Sequence, residues 1–344
     1  MWRPYSRPLV ASFALLLLLA ACSGSSDESA DTTRAPSTTE QATTTTTAST
    51  TTAATTTTAP TTTTTIAPTT STKASPDVTG DLVYATWGEE PLTLDMYAPT
   101  ESGEWPVVIL FHGRAARIPQ YVPRDLVAHG AIVFDVEYAF GNHPVTPAEA
   151  IMSDRGAGHR AMAESAACAI HYARARASEK GSESPVVVLA GHSQGGGVAS
   201  IAALFGSGME ALWEEYALAQ SGPPRQVDCE ITDGSTHVDA IVGLGGTYDM
   251  NVGYEERYGR DFMQNRDPDL WEFLYGSIGE NPDLRIRLLH GEQDAVVPYE
   301  NSVAFENVLA EAGYDVRLIP FDGGHWEPGG SDLFVTAIID AIQP

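Results

Sequence analysis

Pro185-Val186-Val187-Val188-Leu189-Ala190 runs directly into Gly191-His192-Ser193-Gln194-Gly195, and small residues continue from Gly196 to Phe205. A buried strand that passes through a tight G-x-S-x-G turn into a helix is a nucleophile elbow, in which backbone strain lifts the serine hydroxyl above the sheet edge. The glycines two before and two after Ser193 leave room where side chains would collide with the neighbouring strand and helix. Five residues with two fixed glycines are a weak pattern alone. The strand before them and the helix after them give the pattern its weight.

The flanks extend this reading. Leu82–Trp87 and Leu92–Tyr97 read as an antiparallel hairpin turning at Glu89-Glu90-Pro91. Pro106–Phe111 and Ala131–Tyr138 are continuous apolar runs, as strands buried on both faces would be. Between them, Pro123–His129 is a short helical segment closed by Gly130. Gly158–Ala177 has apolar residues spaced by three and four and predicts a helix. Val238–Leu244, Ile286–His290 and Val316–Pro320 predict further strands. Glu300–Ala312 predicts a helix, and Asp332–Ile342 a terminal one capped by Ser331. Strands alternating with helices after an antiparallel start give an α/β class: a mostly parallel sheet with helices on both faces. Chemistry in such sheets sits on loops at the strands' C-terminal ends.

A serine hydroxyl is a poor nucleophile near neutral pH and needs a base, with an acid to fix the base's tautomer. The base candidate is His325, in Asp322-Gly323-Gly324-His325-Trp326 directly after the last strand, where the glycines make a loop that can aim the imidazole back across the sheet. His290 is the rival, but it ends a strand and reads as packed beneath the active edge. The acid candidate is Asp294, in a polar turn after the next-to-last strand. Asp249, in Gly246-Thr247-Tyr248-Asp249 after the preceding strand, is the alternative acid, its competing reading being a carboxylate bonded to its own loop. The order nucleophile, acid, base separates this arrangement from two other familiar serine triads. An oxyanion hole would complete the set. One donor is expected from the amide of Gln194 at the helix start. Another is expected from His112-Gly113-Arg114-Ala115, where Gly113 lets the backbone bend so that the amide of Arg114 or Ala115 faces the site.

These residues resemble the α/β-hydrolase fold family, in particular its bacterial esterase and lipase branch. Leu92-Thr93-Leu94-Asp95-Met96-Tyr97-Ala98-Pro99 is similar to the L-D-x-Y-x-P hairpin of carboxylesterase, feruloyl-esterase-like and dienelactone-hydrolase-like groups. The resemblance spans residues 80–344. It implies Ser193 as nucleophile, His325 as base, Asp294 as acid, a small-molecule ester substrate and no cofactor. The loop reads HGRA rather than HGGG, which departs from the hormone-sensitive-lipase pattern. A serine peptidase of the same fold is the nearest enzymatic alternative, although no added domain to grip a peptide N-terminus is recognisable. A non-catalytic surface-binding homologue would be expected to have lost one of the three residues.

The aromatic residues Tyr254, Tyr258, Phe262, Trp271, Phe273 and Tyr275 lie where this fold often inserts a cap, and Asp267-Pro268 would suit a helix start. The competing reading is that these rings pack on the sheet.

Three segments divide the 344 residues. Residues 1–21 have a cationic start and an apolar run from Leu9 to Ala20, the form of a secretory signal peptide. Their end, Leu19-Ala20-Ala21-Cys22, resembles a bacterial lipobox, which implies a diacylglycerol on Cys22 and an anchor at the outer face of the membrane. Ordinary cleavage with an incidental Cys22 is the alternative. Residues 22–76 are rich in Thr, Ser, Ala and Pro and too poor in apolar residues to fold, so they predict an extended tether. Residues 77–344 remain as one catalytic domain. The formal net charge of −26, from 19 basic and 45 acidic residues, argues against a nucleic-acid partner. No His/Cys/Glu cluster shows metal-ligand spacing. Cys168 and Cys229 are left to pair or stay free in an exported domain.

Overall fold

The computed structural model describes residues 76–114, 117–139, 157–205, 227–249, 251–259, 278 and 281–343. The leader, Cys22 and the tether lie outside the described residues, as do Ala115, Phe262, Asp267-Pro268, Trp271, Phe273 and Tyr275. Nine strands are described: β1 (Asp77–Trp87), β2 (Glu90–Ala98), β3 (Val107–Phe111), β4 (Ile132–Val136), β5 (Val187–His192), β6 (Val227–Cys229), β7 (Ala240–Leu244), β8 (Arg285–Gly291) and β9 (Asp315–Phe321). They form one sheet in the order β6-β1-β2-β4-β3-β5-β7-β8-β9. The run from β4 through β3, β5, β7 and β8 to β9 is parallel, and β6, β1 and β2 join it antiparallel. Six helices accompany them: α1 (Tyr121–Ala128), α2 (Ala157–Glu179), α3 (Gln194–Phe205), α4 (Tyr254–Tyr258), α5 (Tyr299–Glu311) and α6 (Pro328–Ile342).

Period-two alternation distributes each central strand between two cores. On β3, Val107, Ile109 and Phe111 face the core shared with α2, α3 and α5. Val108 and Leu110 face the opposite core, closed by Leu126 of α1 and Phe334 and Ile338 of α6. All five β3 residues are fully buried. Each such large side chain contributes about 1.5–3 kcal/mol relative to exposure. Continuous apolar runs are therefore what this sheet requires at its centre, with helices on both faces as expected.

The edges depart from expectation. The β1–β2 hairpin turns at Gly88-Glu89, with Trp87 opposite Glu90 and Gly88 at φ 62°, not at Glu89-Glu90-Pro91. A two-residue hairpin loop needs positive φ, which glycine supplies without strain. β1 also begins at Asp77, five residues before Leu82, because pairing with β2 carries a polar segment along with it. α1 begins at Tyr121, so Pro123 falls in its first turn, where the missing N–H forfeits no bond. Ser331 does not cap α6. The helix starts at Pro328 after extended Glu327, and the Ser331 N–H donates to the Glu327 carbonyl at 3.0 Å as an interior helical bond. β6 had no expectation attached. It pairs with β1 at the sheet edge, and a disulfide from its Cys229 to Cys168 of α2 fastens it there, with Cα atoms 5.0 Å apart.

Candidate active site

Backbone sterics build the site first. Ser193, between β5 and α3, has φ 55°, and Asp81 is the only other non-glycine residue at positive φ among those described. Holding a side-chain-bearing residue there costs about 1–3 kcal/mol. The chain accepts it because the turn is closed from both sides. A Cβ on Gly191 would lie 2.2 Å from the Gly195 carbonyl oxygen, and one on Gly195 would lie 2.1 Å from that of Phe111. Neither glycine can be replaced without moving backbone. The Ser193 N–H donates to Leu244 at 2.9 Å and its carbonyl accepts from Thr247 at 3.1 Å, so the loop after β7 grips the elbow. Similar bonds join Gly245 to Leu289, Glu292 to Phe321 and Gln293 to Gly323, stitching the strand-end loops into one rim.

Asp294 and His325 meet on that rim. His325 Nδ1 lies 2.7 Å from Asp294 Oδ2. Asp294 Oδ1 accepts from the N–H groups of Val296 at 2.7 Å and Val297 at 2.9 Å, so both oxygens of the carboxylate are bound. The residue is 3% exposed. Burial by itself would raise its pKa, but the hydrogen bonds from His290, His325 and the Val296 amide outweigh this and hold it well below the usual carboxylate range. Asp294 stays ionised. Its bond fixes the proton of His325 on Nδ1 and leaves Nε2 as the basic nitrogen.

Asp249 is bonded within its own loop. Its Oδ1 accepts from the Asn251 N–H at 2.7 Å, a local turn, while Asn301 bonds its backbone carbonyl. His290 is fully buried behind Asp294, with Nε2 3.2 Å from Oδ2 and Nδ1 2.6 Å from Ser302 Oγ. The described part of the aromatic segment is α4, which lies against the acid loop. Arg257 donates to the Asp294 carbonyl, and Tyr258 donates its hydroxyl to that of Val296 at 2.6 Å.

His192 is a site residue that the sequence reading passed over, although it stands inside the elbow. Its ring packs 4.6 Å from that of His325 and 4.4 Å from that of Trp326. Burial, reinforced by the neighbouring His325, pushes its pKa down to about 3, so it is neutral and donates from Nε2 to the His325 carbonyl at 3.1 Å. It holds the His325 loop beside the elbow.

The loop after β3 is the next wall. A Cβ on Gly113 would lie 2.8 Å from His192 Nδ1 and 3.1 Å from Ser193 Cβ, so the bare backbone of this glycine touches the serine. His112 faces acceptors on both sides, the Gly113 carbonyl at 2.7 Å from Nδ1 and Glu137 at 3.2 Å from Nε2. Burial alone would lower its pKa. The bonds to Glu137 and Gly113, with the Glu137 charge, raise it instead. Its N–H thus holds the Gly113 carbonyl, and across a trans peptide the Arg114 N–H points the opposite way. Gln194 opens α3, where backbone N–H groups lack helical partners. Among the described residues no group of three His, Cys, Asp or Glu side chains could hold a metal ion.

The fold has solved counterparts. A truncated carbohydrate esterase from gut microbiota is 20% identical over 79% of this chain and 97% of its own, with a TM-score of 0.54. Esterase 2 of the Planctomycetes species Thermogutta terrifontis, bound to propionate, is 18% identical over 78% of this chain and 93% of its own, at 0.51. The same esterase phosphorylated by paraoxon is 18% identical over 77% and 92%, at 0.51. At these identities the likeness establishes the fold. No match is found among curated proteins. The BD-FAE family model matches residues 94–309, which run from β2 through the elbow and the acid loop into α5. With more than half of its length matched, the chain belongs to the BD-FAE family, an α/β-hydrolase-type esterase domain.

Proposed function

We propose that this chain cleaves carboxylic esters through an acyl-enzyme on Ser193, with His325 as base and Asp294 as the acid that orients it. The observation that carries this reading is the 2.7 Å bond between His325 Nδ1 and buried Asp294, on the rim that also holds the strained elbow. His325 Nε2 takes the Ser193 proton as Oγ attacks the ester carbonyl. The amide of Gln194, with one from Gly113 or Arg114, holds the negative oxygen of the tetrahedral intermediate. His325 then gives its proton to the departing alkoxide. Water, deprotonated by the same nitrogen, releases the acid and restores Ser193. The Leu92–Pro99 hairpin supports carboxylesterase-like or dienelactone-hydrolase-like substrates. A fluorophosphonate probe tests the nucleophile: it is expected to add one phosphonyl group to the peptide containing Ser193 and to stop ester cleavage. A label on any other residue, or none on an active enzyme, would overturn the assignment.

The apolar leader and the lipobox-like Leu19-Ala20-Ala21-Cys22 support an enzyme outside the cell, held at the membrane by a diacylglycerol on Cys22 and spaced from it by residues 23–76. Two buried chains suffice for stable anchoring. In detergent phase separation the full chain is expected in the detergent phase and Cys22→Ala in the aqueous phase. Equal partitioning of the two would refute the anchor.

A further inference from the structure

His112 and Arg117 stand on either side of Gly113 and Arg114 in the connection between β3 and α1. One carboxylate, that of Glu137 directly after β4, meets them both. Glu137 Oε2 lies 3.2 Å from His112 Nε2, and Oε1 is paired with Arg117 Nε. Arg117 also sets Nη1 3.5 Å from Asp95 Oδ2 on β2. The sheet holds Glu137 in place for this. Its N–H donates to the Thr93 carbonyl at 3.0 Å, and its carbonyl accepts from the hydroxyl of fully buried Tyr84 at 3.1 Å. The next residue, Tyr138, donates its hydroxyl to the His112 carbonyl at 2.9 Å and stacks on the His112 ring at 4.8 Å between centroids. From there the order passes into the loop. The Gly113 carbonyl only accepts, so His112 Nδ1 donates to it at 2.7 Å, and this bond sets the plane of the peptide joining Gly113 to Arg114.

We infer that Glu137 is a positioning residue for the oxyanion loop: with one oxygen toward His112 and the other on Arg117, it clasps the loop from both sides and sets the Gly113–Arg114 peptide against Ser193. The inference rests on the acyl-enzyme reading of Ser193. The loop is already at contact distance, since a Cβ on Gly113 would lie 3.1 Å from Ser193 Cβ. A loop released from its clasp drifts outward and lengthens the path from its amide to the reacting carbonyl. Such donors act only at hydrogen-bond distance, and losing one outright costs about 10²–10³-fold in kcat. A misplaced donor loses part of that. The Arg117 side chain is 53% exposed, and an ion pair so open to water adds only about 0–1 kcal/mol to stability. The clasp therefore shows in turnover rather than in melting.

The test is steady-state kinetics of the full chain on a nitrophenyl ester. Glu137→Ala removes both contacts and is expected to lower kcat and kcat/KM together by about 10- to 100-fold, with KM within about threefold, the mark of an interaction made in the transition state. Glu137→Gln keeps one acceptor oxygen and is expected to recover part of the loss. Arg117→Met frees one side of the loop and is expected to cost about three- to tenfold in kcat. The double variant Glu137→Ala with Arg117→Met is expected to lose little more than Glu137→Ala alone, because both substitutions open the same clasp. Losses that multiply overturn the inference. So does a Glu137→Ala enzyme whose kcat stays within about twofold of the parent, or whose loss lies wholly in KM. Should Glu137→Ala not fold, an unmoved kcat in Arg117→Met overturns it equally. Ser193→Ala, measured alongside, separates the two readings. If it stays active, the acyl-enzyme assignment fails, whereas an inactive Ser193→Ala beside an unaffected Glu137→Ala defeats the inference alone.

Discussion

Ser193→Ala is expected to lower kcat/KM for short nitrophenyl esters by about 10⁴-fold or more, since the proposed mechanism takes its attacking oxygen from this side chain. The elbow itself should persist. Alanine meets the same left-handed strain at φ 55°, the bond from the residue 193 N–H to Leu244 is a backbone bond, and Gly191 and Gly195 still allow the close approach. Thermal unfolding should therefore shift by no more than a few degrees, the equivalent of about 1 kcal/mol. Stopped-flow or plate kinetics with a melting curve on the same sample check both halves. A folded Ser193→Ala enzyme that retains a tenth of the parent activity would exclude the acyl-enzyme.

The acid is decided by a matched pair of substitutions. Asp294→Asn is expected to cost about 10³–10⁴-fold in kcat. The reason lies in the orientation that the pocket imposes on an amide. Val296 and Val297 both donate to the Oδ1 position, so the amide oxygen must sit there. The NH₂ then faces His325 Nδ1, from which the carboxylate had accepted. His325 would turn its Nδ1 into an acceptor and carry its proton on Nε2, the nitrogen that should receive the serine proton. Asp249→Asn is expected to cost less than about threefold, since an amide oxygen can still accept from the Asn251 N–H in the same local turn. Steady-state kinetics on the two purified variants settle the choice, and the reverse ranking would transfer the role to Asp249.

Legibility followed how much of each element's fate was local. The central strands announced themselves because helices on both faces demand unbroken apolar runs, as in Val107–Phe111 and Ala240–Leu244. The elbow was readable because its glycines answer a steric demand that no other residue meets. Asp294 and His325 could be placed by strand order, since each lies on a loop after its strand. Val227-Asp228-Cys229 could not be read as a strand. Three residues carry no period, and pairing with β1 together with the bond to Cys168 holds them in line. Asp77–Asp81 likewise became strand only through β2. The start of α6 was misread because Ser331 has a good capping side chain, whereas Pro328 after an extended residue set the boundary. The roles of His192, His112 and His290 are tertiary. Each depends on acceptors brought from another loop or strand, and imidazoles in such places look alike in a sequence.

The bond between Cys168 and Cys229 acts on the denatured chain as well as on the sheet edge. It closes a loop with a sequence separation of 61, and Ser193 lies inside it. In the chain-entropy description a loop of that size removes about 4 kcal/mol of freedom from the unfolded ensemble. The left-handed turn at Ser193 costs about 1–3 kcal/mol when it forms. The crosslink thus more than offsets the strain of the turn it encloses, by making the alternative to folding less disordered. An oxidised chain can hold its serine in a costly conformation without drawing on the packing of the core.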